Sequence, residues 1–326
     1  MWKITAPVIL LLTMARISAA GQGMSTEDSS ARAGVNPDKV SRAVLQLDPK
    51  RRAQIEEAIR LRAYTRAETL LVEEINRRPA SPNLLTLLGG IFFLDGKALN
   101  AAVAFKKAEA LGPLDDHSRF TLAMSYVVLN RRDWAWPELE KLTLSDPKNG
   151  LYLYWLARLD YDGARYDAAV TKLQKVIALS PDLMKAYDNL GLCYEALGEN
   201  ERAVESYHVA LRLNRQRSPW PALNLGTLLI KLNRLDEAEP HLREALRHDS
   251  KFAHARYQLG SLLEKRNKYG EAIRELNQAI LDDPAYPEPH YLLGRIYRRT
   301  GDREKSEKAF SNFQQLKKQK AVSGKQ

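Results

Sequence analysis

The chain has 326 residues, 44% of them apolar and 28% charged. That composition excludes global disorder, and the length exceeds what one compact core usually serves, so two domains or a repeat array is expected. The formal net charge is +10, but from His290 onward ten Lys/Arg stand against three Asp/Glu, so the basic character belongs to one end. A single cysteine, Cys193, excludes an internal disulfide or a CxxC motif and reads as a small buried packing residue.

Residues 1–20 read as a secretory signal peptide. Lys3 supplies the positive start, Ile4 to Met14 the apolar stretch, and Ser18-Ala19-Ala20 the small residues before cleavage at Gly21. The stretch is about half the ~20 residues a spanning helix needs. The chain is therefore expected to be exported, periplasmic or secreted, with an anchor left by an uncleaved signal as the other outcome. Residues 21–47 are expected to be a flexible linker, because 21–35 carry almost no large apolar groups. Asn36-Pro37 is a cap and first-turn pair that starts a short helix within it. Residues 321–326 are expected to be a disordered tail.

From 48 to 320 the sequence repeats. Leu-small pairs recur at Leu88-Gly89, Leu122-Ala123, Leu156-Ala157, Leu190-Gly191, Leu225-Gly226, Leu259-Gly260 and Leu293-Gly294. Their spacing is 34 residues, with one step of 35. Twelve residues after each small residue come Ala101, Ala135, Ala169, Ala203, Ala238, Ala272 and Ser306, and four further on a large apolar residue: Phe105, Leu139, Leu173, Tyr207, Leu242, Leu276 and Phe310. Pro113, Pro147, Pro181 and Pro284 close units as helix stops, with Arg215 and Ser250 in the same place elsewhere. Gly96, Asn130, Gly198, Asn233, Asn267 and Gly301 are placed to end the first helix of a pair.

This pattern resembles the tetratricopeptide repeat, Leu-Gly-x2-Tyr…Ala-x3-Phe…Pro. The units are 82–115, 116–149, 150–183, 184–217, 219–252, 253–286 and 287–320, preceded by a degenerate copy at 48–81. The resemblance implies an all-α fold, a right-handed α-solenoid of about eight helical hairpins. Small residues at positions 8 and 20 let the two helices of a hairpin approach, while Leu at 7 and the large group at 24 fill the grooves beside the crossing. Position 11 holds Asp160 where an aromatic or aliphatic group is usual, and a looser contact is expected there.

No HExxH, GxSxG or Gly-rich phosphate loop occurs, and the six histidines fall at different repeat positions. The chain is expected not to be an enzyme and to bind no cofactor or metal. Its partner is expected to be a protein or peptide rather than nucleic acid, because Lys/Arg in the last helix alternate with Glu304 and Glu307.

The resemblance further implies that positions 2, 5, 6, 9, 12 and 13 of each first helix face a concave groove. Carried over, these include Phe93, Phe120, Met124, Tyr154, Trp155, Arg158 and Tyr161, an aromatic wall expected to stand open because Leu156, Ala157, Ala169 and Leu173 already fill the hairpin. They include Asn189, Asn224 and Gln258, which resemble the amide row by which the tetratricopeptide region of O-GlcNAc transferase grips a peptide backbone. They end with Arg295, Arg298 and Arg299, a set that would suit an anion. No three adjacent units reproduce the carboxylate clamp known in the family. The expected function is a non-catalytic scaffold holding a polypeptide in the groove. The alternatives are an assembly or regulatory subunit of an envelope complex using the convex face and ends, or anion binding at the basic end.

Overall fold

The computed structural model describes residues 46–79, 81–215 and 217–323. The segment expected to be a signal peptide, most of the expected linker and the last three residues of the expected tail lie outside the described residues. Among the described residues there are sixteen α-helices and no strand. They fall into two compact units, described separately, with the chain division between Pro181 and Asp182.

The first unit holds α1 (Pro49–Arg60), α2 (Tyr64–Arg77), α3 (Pro82–Leu94), α4 (Ala98–Glu109), α5 (Asp116–Val128), α6 (Arg132–Ser145), α7 (Gly150–Asp162) and α8 (Tyr166–Leu179). The second holds α9 (Met184–Ala196), α10 (Asn200–Leu213), α11 (Trp220–Lys231), α12 (Leu235–His248), α13 (Ala253–Lys265), α14 (Tyr269–Asp282), α15 (Glu288–Thr300) and α16 (Arg303–Ser323). Within each unit, odd and even helices pair as hairpins, and each even helix also packs on the odd helix that follows it. Asp48, Ser81, Asp115 and Asn149 cap the first helices of the first unit by accepting from backbone N–H groups just inside them.

The hairpin crossing is tighter than the sequence pattern suggested. The large residue at position 24 does not sit beside the crossing but directly over the small residue at position 8. A Cβ added to Gly191 would lie 2.5 Å from the Tyr207 ring, and one on Gly226 would lie 2.8 Å from Leu242. Gly89 meets Phe105, Gly260 meets Leu276, and Gly294 meets Phe310 in the same way. Tyr207, Phe105, Leu139, Leu173, Leu242 and Leu276 are all buried.

The turn between paired helices repeats as well. Position 15 has positive φ in every hairpin: Arg62, Gly96, Asn130, Ala164, Gly198, Asn233, Asn267 and Gly301. Six of these are Gly or Asn, which tolerate the left-handed region. Ala164 and Arg62 are not, and Ala164 takes φ 56°.

Asp160 does not loosen its hairpin. Its carboxylate is buried and accepts from Arg165 Nε at 2.8 Å and Lys172 Nζ at 2.6 Å, so an ion-pair cluster stands where other units place an apolar or aromatic group. Arginine at position 4 ties further elements together. Arg119 reaches Glu109 of the preceding hairpin at 3.0 Å and Glu138 of its own at 2.5 Å; Arg256 reaches Glu275 at 3.1 Å and Asp282 at 2.7 Å. The extra residue between 184–217 and 219–252 is taken up in the loop. There Asn214 donates to the Ser218 carbonyl at 2.7 Å and accepts from the Ser218 N–H at 2.9 Å.

Two stability measurements follow from this packing. Gly226→Leu forces a side chain into Leu242 and is expected to lower unfolding free energy by about 1–3 kcal/mol in a denaturant titration; an unchanged midpoint would refute the assigned contact. Ala164→Gly relieves the left-handed strain and is expected to raise stability by about 0.5–1 kcal/mol in the same assay.

Candidate functional site

In the first unit the groove positions lie on α3, α5 and α7, and the expected open aromatic wall is largely closed. Phe120, Met124 and Tyr154 are buried. The Phe120 ring lies 5.6 Å from that of Tyr152, and Tyr154 meets Trp155 edge-on at 6.1 Å. Arg158 is buried too, 3.8 Å from the Asp162 carboxylate and 5.7 Å above the Tyr161 ring. Phe93, Trp155 and Tyr161 stay half-buried, and Phe93 and Trp155 pack against the apolar core. The Trp155 indole N–H is shielded from solvent and finds no acceptor among the described residues. The rings thus contribute to packing, contrary to the expectation that Leu156, Ala157, Ala169 and Leu173 would suffice.

In the second unit the amide row turns inward. Asn224 Nδ2 donates to Asp188 Oδ1 at 3.0 Å, and Asn189 Nδ2 donates to the Lys185 carbonyl at 2.8 Å; both residues are buried. Gln258 remains half-buried. The three arginines of α15 do not converge. Arg295 donates to the buried Glu264 carboxylate at 3.0 Å, Arg298 lies 5.7 Å from the Phe310 ring, and Arg299 lies 5.6 Å from the Tyr269 ring. The expected anion site is therefore divided among three separate contacts.

An aromatic array that sequence reasoning overlooked runs along the second unit. Trp220 meets Phe252 at 4.6 Å, His254 stacks on Tyr286 at 4.5 Å, and Tyr257 meets Tyr286 edge-on at 5.5 Å. The signal was present: Trp220 and His254 are 34 residues apart, as are Phe252 and Tyr286, so repeat positions 2 and 34 alternate aromatic groups. Burial holds His254 below the usual imidazole range, with Asp283 and Glu288 opposing that shift and Lys320 adding to it. Burial also pushes the phenols of Tyr257 and Tyr286 up. Among the described residues no group of three His, Cys, Asp or Glu could hold a metal ion, and no helix is long and apolar enough to cross a membrane.

Four tetratricopeptide-repeat family profiles match the chain, over residues 120–183, 186–219, 229–296 and 287–320. Together they span more than half of it. The chain belongs to the tetratricopeptide-repeat family. A type IV pilus assembly protein, PilF of Pseudomonas aeruginosa, is 28% identical over 146 residues, covering 44% of this chain and 58% of that relative. A CTR9 homologue of Arabidopsis thaliana is 27% identical over 159 residues, 47% of this chain and 14% of the relative. The chain thus matches only part of the length of each. Among solved structures, a tetratricopeptide repeat protein from Parabacteroides merdae matches with a TM-score of 0.62 at 14% identity, covering 84% of this chain and 99% of that one. The type IV pilus biogenesis factor PilW matches with a TM-score of 0.56 at 19% identity, covering 61% and 92%. These structures share the tetratricopeptide fold.

The buried imidazole makes stability depend on pH. The fold holds the His254 imidazole below the ordinary value of about 6.5 near which the unfolded chain takes up a proton. Its contribution is complete above that value and is lost as pH falls below it. Unfolding free energy is therefore expected to decline between pH 7.5 and pH 5, and to decline less in His254→Phe; parallel denaturant titrations of both proteins check this.

Proposed function

We propose that the chain is a non-catalytic scaffold that holds a polypeptide partner along the inner face of its first helices, in the cell envelope. The observation that carries this reading is family membership across most of the repeats. Hairpins of this kind present one face of every first helix in succession, which suits an extended or helical segment. Side chains on that face still reachable by a partner are Phe93, Trp155 and Tyr161 in the first unit and Gln258 and Arg295 in the second. The buried residues Phe120, Met124, Tyr154, Arg158, Asn189 and Asn224 then shape the face from beneath, and Arg298 and Arg299 stand at its basic edge. Similarity to a pilus assembly protein supports an envelope setting, as does the export signal read at residues 1–20.

A second reading places the contact on the opposite face. Leu99 and Val103 lie one turn apart on α4 and are 59% and 47% exposed, which suits a permanent neighbour in an assembly.

Affinity capture from a periplasmic extract separates the two. Trp155→Leu keeps part of the packing and removes the indole; it is expected to weaken recovery of the partner about tenfold, while the variant stays folded with a melting temperature lowered by a few degrees. Recovery that survives Trp155→Leu but is lost in Leu99→Asp would transfer the contact to the outer face.

A further inference from the structure

At one edge of the first unit an open cleft of about 350 Å³ lies between the starts of α5 and α7, lined by Asp116, His117, Phe120, Asn149, Leu151 and Tyr152. Its floor is the Phe120–Tyr152 ring pair. Tyr152 is nine-tenths buried as a residue, but its hydroxyl reaches solvent at the cleft and makes no hydrogen bond among the described residues. Burial first, and then the negative fields of Asp116, Asp146 and Asp115, raise the affinity of this phenol for its proton, and of the three only Asp116 shares the cleft lining with it.

Two of those carboxylates have structural work. Asp115 caps α5 through the Ser118 N–H at 3.0 Å, and Asp146 accepts from Asn149 Nδ2 at 3.2 Å. Asp116 is exposed and has a single long contact, the Ser145 hydroxyl at 3.4 Å. Arg119, in the first turn of α5, is not among the lining residues and is paired with Glu109 and Glu138. An anion would be repelled here. A cation on an aliphatic stem suits four of the six lining residues: a carboxylate and a phenol oxygen for its N–H groups, and a ring and Leu151 for its methylenes, with His117 and Asn149 completing the rim.

We propose that this cleft takes an arginine or lysine side chain of a bound polypeptide. The assignment rests on the scaffold reading above and gives it a chemical preference. The protein binds the basic residue through Asp116 and Tyr152, and Phe120 supports the stem.

The test uses the full chain and calorimetric titration with the peptide acetyl-Gly-Gly-Arg-Gly-Gly-amide, its citrulline counterpart, and agmatine. The arginine peptide is expected to bind about tenfold more tightly than the citrulline peptide, and Asp116→Asn to remove that difference. Tyr152→Phe keeps the ring and the packing, and is expected to weaken the arginine peptide several-fold at an unchanged melting temperature. Equal affinity for arginine and citrulline peptides, or arginine binding untouched by both variants, overturns the proposal. Agmatine binding as tightly as the peptide would assign the cleft to free polyamines and overturn the polypeptide assignment. Because no native partner is involved, a failure here leaves the affinity-capture result to stand or fall by itself.

Discussion

Each hairpin depends on how closely its two helices can cross. The limiting contact is between the small residue at position 8 and the side chain sixteen residues later. A glycine in a helix interior costs about 1 kcal/mol relative to alanine, so its recurrence there needs a return. The return is a ring or a leucine brought against bare backbone, as Tyr207 is at Gly191 and Phe310 is at Gly294. Where position 8 is alanine, in Ala123 and Ala157, the partner is leucine, Leu139 and Leu173. The larger rings Phe105, Tyr207 and Phe310 all face glycine. Rings are thus confined to glycine, while leucine covers either glycine or alanine, and both pairings leave the crossing filled.

Polar groups adjust this frame locally. Asp160 substitutes a buried carboxylate for an apolar or aromatic group, and does so without an orphaned charge because Arg165 and Lys172 come from the turn and the second helix to meet it. Removing one member of such a cluster leaves an uncompensated charge, so the cluster fixes its own composition. Arg119 works across hairpins in the same way, and its reach to Glu109 binds one repeat to its predecessor.

The fold was legible because its signals are periodic and local. The 34-residue spacing, the small residues and the Gly or Asn at position 15 each mark one backbone requirement. What escaped was whatever depends on a distant side chain. Nothing near Asp160 in its own helix announces Lys172, and a family position marked as groove-facing does not say that Phe120 will turn onto Tyr152. Asn189 and Asn224 stand where the resemblance implies a grip on a peptide backbone, but each amide N–H has an acceptor within the fold, a carbonyl one turn back or the Asp188 carboxylate. The aromatic array of Trp220, His254 and Tyr286 was equally periodic and was overlooked because the residue types alternate between repeats.

The loop closed by Asn214 and Ser218 shows how such an array tolerates changes in length. An extra residue in a β-strand would reverse every side chain beyond it. Here the miscount is contained within five residues, because Asn214 clasps the chain and α11 starts afresh with its small residue, Gly226, still opposite Leu242. A joint between hairpins can therefore absorb a change in chain length while the crossing that follows keeps its register.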